Sequence, residues 1–277
     1  MTGSAVTTVV ATRDRASALR RSLARHTGPV IVVDNASGDA TPEVAREAGA
    51  RLIRAPRNLG AAGRNLGAAE ADTPYVAFAD DDSWWEPGAL DHAAAVLDGH
   101  PRTALLAARV LVGEEQRLEP VSAEMSRSPL GWPDGLPGRA ILGFLACSAV
   151  VRRDAFLDVG GFSDVLHFGG EEELLALDLA AAGWGMAYVP ELVVHHQPAA
   201  TGRDRGARRR RGARNRLLTA WLRRPLSALA REAVASARAP DGPAGLGDAV
   251  RALPSVARAR RPVPRSVELA RARLDGY

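Results

Sequence analysis

The first 80 residues alternate between short apolar runs and stretches with helical spacing. Val6–Ala11 is a β-branched run, and the residues from about Ser17 to Arg25 repeat with helical period. Val30–Val33 predicts a second strand, stopped by the polar loop Asp34–Asp39, with a helix over Thr41–Gly49. Arg51–Arg54 predicts a third strand, Gly63–Glu70 a helix, and Tyr75–Ala79 a strand running straight into three aspartates. This rhythm predicts right-handed βαβ units and a mostly parallel α/β sheet flanked by helices. In such sheets ligands bind beyond the carboxyl ends of the strands. The polar clusters after the first, second and fourth strands therefore mark the expected site.

The second half is less regular. Glu114–Gly138 carries Pro, Gly and Ser with little periodicity and predicts a loop or lid. Ala140–Val151 is apolar, and Arg153–Val159 predicts a short helix ended by Gly160 and Gly161. Glu171–Ala182 predicts a helix with Gly183 as its cap, and Met186–His195 a last strand. Beyond Thr201 the pattern predicts a basic loop, an amphipathic helix from about Asn215 to Ala237 that Pro225 kinks or splits, and a weakly ordered end. The expected division is a catalytic unit over 1–200, with a nucleotide-binding half to about residue 110 and an acceptor-side half over 111–200, then a helical extension over 201–277.

Composition narrows the class. A chain of 277 residues, 46% hydrophobic and 25% charged, can bury a sizeable core, which excludes wholesale disorder. A single cysteine, Cys147, excludes an intramolecular disulfide and a cysteine-based zinc site, and fits a reducing cytoplasm. All 36 basic residues are arginine. Residues 1–200 hold 17 arginines against 26 acids and residues 201–277 hold 19 against 6, so an acidic body (−9) precedes a basic tail (+13). The longest apolar run, Ile141–Val151, has 11 residues, where a membrane helix needs roughly 20. The opening MTGSAVTTVVATRDR lacks the pattern of a signal peptide. The expectation is a cytoplasmic protein.

Four segments carry candidate chemistry. Asp80, Asp81 and Asp82 repel one another unless a cation or donors compensate them; the i, i+2 spacing suits a divalent ion, and an acidic solvated turn is the plain alternative. Trp84 and Trp85 behind them either wall a pocket or belong to the core. Asp34 and Asn35 suit a base or ribose, or else an Asx turn; Thr12, Arg13, Asp14 and Arg15 either contact a nucleotide or cap a turn. The run RNLGAAGRNLGAAEA, residues 57–71, has repeated Gly and Ala that allow close backbone approach and places Arg64 either to face a phosphate or to pair with the aspartates, but it lacks a Walker ending. Glu171, Glu172 and Glu173 open a helix, where they complement its dipole or supply a general base, and His195 at a strand end is a candidate metal ligand.

Taken together, VVATRDR, VVDNASGD, NLGAAGRNLGA, YVAFADDD, FLACSAVVRRDAFLDVGGFSD, GGEEE, GW and YVPELVVHH resemble the catalytic domain of glycosyltransferase family 2 over about residues 5–197. The resemblance implies a GT-A fold and an inverting transferase that moves a sugar from a nucleotide diphosphate to an acceptor hydroxyl with Mn²⁺ or Mg²⁺. It implies that Thr12, Arg13, Asp14, Arg15, Asp34, Asn35, Asn58, Gly60, Arg64, Asp80 and Asp81 hold the donor. Asp82, Asp80 and His195 would hold the metal, with Glu172 or its neighbour Glu171 as base and Gly161, Phe162 and Trp184 on the acceptor side. Glu172 stands where the family usually has aspartate, and Asp178 where it often has arginine. The implied donor is a UDP- or dTDP-sugar. The implied acceptor is a glycan, a lipid-linked molecule or a small molecule.

The tail has two readings. Leu217, Leu218, Trp221 and Leu222 within the basic stretch 203–237 insert into an anionic membrane surface, making the protein peripheral on its inner face, or they pack back on the body while the arginines pair with its acids. Nucleic-acid binding by the tail is disfavoured by the acidic body, and nucleotidyl transfer by the missing phosphate loop.

Overall fold

A computed structural model describes residues 4–198 and 204–275. In chain order the first ten elements are β1 (Val6–Thr12), α1 (Ala16–Leu23), β2 (Val30–Asp34), α2 (Thr41–Glu47), β3 (Arg51–Arg54), α3 (Gly63–Glu70), β4 (Tyr75–Ala79), β5 (Ser83–Trp85), α4 (Ala89–Gly99) and β6 (Thr103–Val112). Next come β7 (Arg117–Leu118), α5 (Pro120–Ser126), β8 (Arg139–Ala140), β9 (Ala149–Arg152), α6 (Arg153–Asp158), α7 (Glu171–Ala181) and β10 (Gly185–His196). Four helices follow: α8 (Arg205–Arg223), α9 (Leu226–Arg238), α10 (Gly242–Val256) and α11 (Arg265–Asp275).

The β-branched runs become strands because both of their faces are covered. Val9, Val33 and Phe78 project to one side, in a cluster with Ala68 of α3 and Phe156 of α6. Val10, Val32 and Ala79 project to the other, against Leu19 and Leu23 of α1 and Val44 of α2. Strands β1, β2 and β4 are parallel, with Thr12 opposite Asp34 and Val10 opposite Ala79. Their carboxyl ends therefore line one edge, and the polar residues that follow them meet there.

The sheet runs in the order β3-β2-β1-β4-β9-β6-β10-β5 and is mixed rather than mostly parallel. β9 lies antiparallel between β4 and β6, and β5 antiparallel on β10. The direction of β9 is not encoded in its four-residue apolar pattern; only its neighbours set it. The expected loop 114–138 also contains a strand and a helix. α5 forms because Glu119 caps its start, accepting from the Val121 and Ser122 amides, with Pro120 in the first turn.

The extension departs furthest from expectation. The basic segment is helical from Arg205, capped by Asp204, and the end of the chain folds into α10 and α11. Pro225 does divide α8 from α9. Leu217, Leu218 and Leu222 are buried in a cluster with Leu166 and Leu174, and Trp221 packs on that cluster beneath Arg260, 5.2 Å from its ring centre. These side chains thus cover the body instead of facing outward to a membrane. The α8 arginines pair mainly within the extension: Arg209 with Asp241 at 2.6 Å, Arg210 with Asp248 at 2.6 Å and Arg216 with Glu232 at 2.8 Å. Gly245 of α10 allows the close crossing, since a side chain there would strike the Arg210 carbonyl and Ala213 of α8. No helix among the described residues is long and apolar enough to cross a membrane. The expected boundary at residues 200–201, and Arg203, lie outside the described residues.

Candidate active site

At the carboxyl edge of β1, β2 and β4 lies a pocket of about 300 Å³. Of the expected donor residues, Thr12, Arg13, Arg15, Asn35, Asn58, Gly60, Arg64, Asp80 and Asp81 line it, together with Asp82. Asp14 and Asp34 do not. Asp14, with a left-handed backbone (φ 53°), accepts from the Gly38 amide at 2.8 Å and braces the β1–α1 loop on the β2–α2 loop. Asp34 is fully buried and accepts from the Ser37 amide, three residues on, at 3.0 Å and from Arg54 at 3.2 Å.

Arginines hold the aspartates apart. Thr12 donates its hydroxyl to Asp81 at 2.7 Å. Arg15 reaches Asp81 through Nε at 3.0 Å and Asp82 through Nη2 at 2.9 Å. Arg64, 4% exposed, pairs with Asp80. Burial raises the pKa of Asp81, opposed by its bonds from Thr12 and Arg15.

The metal-ligand set differs from expectation by one residue. His196, not His195, meets the aspartates: its Nε2 lies 3.2 Å from Asp82 Oδ1, and Asp80, Asp82 and His196 each present a ligand atom within 4.8 Å of the others. Neighbours on a strand face opposite ways. His195 instead pairs with Glu86, meets Gln116 at 2.6 Å and stacks on Trp84 at 5.5 Å. Trp85 belongs to the core, donating to the Phe78 carbonyl at 3.2 Å. Two carboxylates and one imidazole form a donor set that suits Mn²⁺ or Mg²⁺ and leaves positions for phosphate or water.

Helix α7 presents its first turn to the same cluster. Glu171 is 2% exposed and its Oε2 has no hydrogen-bond partner; Arg64 Nε is likewise buried and unpartnered. Buried polar groups are ordinarily satisfied, and two orphans in one cluster mark a place built for something else. Burial, then the charge of Glu171, raises the Glu172 pKa to about 7, against the pull of Arg64 and the Ala146 amide. Burial also raises Glu171. Although burial disfavours the charge on Arg64, Asp80, Glu171 and Glu172 together hold it cationic.

The acceptor-side expectations fare less well. Phe162 is buried in an aromatic trio, 5.3 Å from Phe78 and 5.5 Å from Phe156, and Asn65 clamps its backbone at 2.8 and 2.9 Å. Gly161 turns the chain directly over Asn65. Trp184 lines a different cavity of about 300 Å³ beside α11. Besides Ala11 at the end of β1, the pocket holds three residues outside the expected set: His167, Phe168 and Arg211. His167 has φ 61°, and its carbonyl accepts from the Ala61 amide at 2.7 Å, crossing so near Gly60 (φ 62°) that any side chain there would collide. The sequence signal for the first two was their place just before GGEEE; Arg211 is one of four consecutive arginines and nothing local singles it out.

A family model described as "Glycosyl transferase family 2" matches residues 7–160. The chain is 34% identical over 216 residues to the pre-mycofactocin glycosyltransferase of Mycobacterium tuberculosis, covering 74% of this chain and 45% of that protein. It is 29% identical over 226 residues to the N-acetylglucosaminyl-diphospho-decaprenol L-rhamnosyltransferase of the same organism, covering 63% and 68%. Its fold matches a mannosyltransferase from Pyrobaculum calidifontis in complex with GDP-Man and Mn²⁺, with TM-score 0.62 and 22% identity over 98% of this chain and 80% of that one. The chain belongs to glycosyl transferase family 2. Its architecture is the GT-A α/β fold with a helical C-terminal extension. The chain spans less than half the length of the pre-mycofactocin relative.

Proposed function

We propose that this chain is an inverting, metal-dependent glycosyltransferase that takes a sugar from a UDP- or dTDP-sugar to the hydroxyl of a glycan, lipid-linked or small-molecule acceptor. The observation that carries the reading is the junction of Arg64–Asp80 with the first turn of α7, which joins a phosphate-binding cation, a metal-ligand cluster and a perturbed carboxyl in one electrostatic unit. Asp80, Asp82 and His196 would hold Mn²⁺ or Mg²⁺, whose charge offsets that of the departing diphosphate. Arg64 faces the same phosphates. Glu172, with a pKa of about 7, takes the acceptor proton, and the hydroxyl attacks the anomeric carbon opposite the leaving group. The mannosyltransferase bound to GDP-Man and Mn²⁺, and the lipid-linked acceptor in the name of the rhamnosyltransferase, support donor and acceptor classes of this kind. Of the α8 arginines, Arg209, Arg210 and Arg216 are engaged by Asp241, Asp248 and Glu232 and not held out as a free basic face for nucleic acid, which favours the transferase reading.

The test is calorimetric titration with UDP, dTDP and GDP, each with Mn²⁺ and with chelator, beside Asp82→Ala. Metal-dependent binding of one diphosphate that is weakened in the variant supports the reading. Binding of none under either condition overturns it.

A further inference from the structure

Two segments that none of the donor motifs includes contribute to the pocket lining: the loop 165–170, with His167 and Phe168, and helix α8, with Arg211. Arg211, on α8, lines the pocket with its guanidinium 5.9 Å from the centre of the Phe168 ring. A guanidinium resting on an aromatic face keeps its N–H edge free for oxygens in its plane. Among the described residues Arg211 makes no ion pair, unlike Arg209 and Arg210 beside it.

Arg211 also belongs to a group. Arg13 and Arg211 line the pocket together with His167, and burial, then the charges of Arg211, Arg214, Arg57 and Arg13, depress the His167 pKa. Arg13 pairs with Asp14, and Arg214 donates to the Val165 carbonyl at 3.1 Å and to Asn215. Arg57 and Arg211 have no carboxylate partner among the described residues. Like charges at one pocket repel unless an anion lies between them, and the same pocket is lined by the aspartates and Arg64.

The loop that carries Phe168 is held by the same face of α8. Asn215, one turn beyond Arg211 and 1% exposed, donates to the carbonyls of Leu166 at 3.0 Å, Phe168 at 3.1 Å and Gly169 at 2.5 Å. One helix face thus supplies a cation and fixes the aromatic surface on which it rests.

We propose that Arg211 is a donor-positioning residue that binds the diphosphate of the nucleotide sugar, so that the C-terminal extension completes the donor site. This rests on the transferase reading above and adds a residue from outside the stretch that resembles the family.

The experiment measures binding of UDP, dTDP and GDP, and of the matching monophosphates, with Mn²⁺, to the full chain and to Arg211→Gln, Arg211→Lys and Arg208→Gln. Arg208 is exposed on the same helix and does not line the pocket. The expected result is at least a tenfold loss of diphosphate affinity in Arg211→Gln, a change within twofold for the monophosphate, partial recovery in Arg211→Lys and no change in Arg208→Gln. Unchanged diphosphate affinity in Arg211→Gln, or an equal loss in Arg208→Gln, overturns the proposal while leaving the transferase reading intact. If the unaltered chain binds none of the three diphosphates, the transferase reading itself fails and this proposal falls with it.

Discussion

Arg223, the last residue of α8, grips Asp178 on α7 with one edge of its guanidinium, Nε donating to Oδ1 and Nη2 to Oδ2 at 3.1 Å, and both side chains are less than a fifth exposed. Asp178 thus takes its cation from the extension. The pair fastens α8 to the helix whose first turn holds Glu171 and Glu172. Arg223→Ala is expected to cost about 2 kcal/mol, because it leaves a shielded carboxylate without its forked partner. Urea unfolding of Arg223→Ala, Asp178→Asn and the double variant measures the coupling; additive losses would show that the pair contributes nothing of its own.

Glu172 should set the pH profile. Its carboxyl is ionised only above about pH 7, so transfer is expected to rise as pH increases through 7, and Glu172→Gln should lose roughly 10²–10⁴ in kcat. Stability runs the other way. A folded pKa raised above the unfolded value favours folding fully at low pH, and that contribution is lost as pH rises through about 7. Glu172→Gln should therefore melt higher than the unaltered chain at pH 8 and near it at pH 4.5. A lower Tm for the variant at pH 8 would contradict the assignment.

The two adjacent histidines should separate cleanly. His196→Ala removes one member of the ligand cluster and is expected to weaken Mn²⁺-dependent nucleotide binding at least tenfold. His195→Ala should leave that binding within twofold while lowering Tm through loss of its Glu86 and Gln116 contacts. Calorimetry with and without chelator reads the first effect and thermal unfolding the second.

His26 offers a test away from the site. Burial lowers its pKa to about 4, partly offset by a hydrogen bond with the Ser83 backbone, and its Nε2 has no partner. The unfolded chain binds a proton near pH 6.5 that the folded chain refuses, so stability is full above 6.5 and falls as pH drops towards 4. The expected loss is on the order of 2–3 kcal/mol between pH 7 and pH 4. His26→Gln should flatten that part of the curve, as followed by urea unfolding across the range.

What the sequence disclosed, and what it withheld, follows from range. Val9, Val32 and Phe78 announce strands because continuous β-branched and aromatic runs need no distant partner to be recognised, and Thr12, Asn35 and Asp80 inherit their place from the ends of those strands. The choice between His195 and His196 depends on counting faces along β10, and a register shift between Val189 and Val193 breaks the count. The stretch with Arg209 and Arg210 predicts a basic loop because Asp241 and Asp248, which pair with them in the helix, lie more than thirty residues away. Gly242, Gly245 and Gly247 made α10 resemble a loose end, although Gly245 is the point where α10 touches α8. Phe162 was drawn toward the acceptor by its motif, and only the packing with Phe78 and Phe156 shows that its ring is spent on the core.

The three carbonyls gathered by Asn215 have a consequence for any shortened form of the protein. Cutting the chain before Asp204 would leave what resembles a complete catalytic unit by motif, yet Leu166, Phe168 and Gly169 would lose their shared donor and Leu166 and Leu174 their cover. The surviving fragment would keep Asp80, Asp81, Asp82, Glu171 and Glu172 but not the tethered approach to α7. The packing that supports the approach to α7 thus extends beyond the stretch that resembles the family, into the segment whose sequence predicts a basic loop and a weakly ordered end.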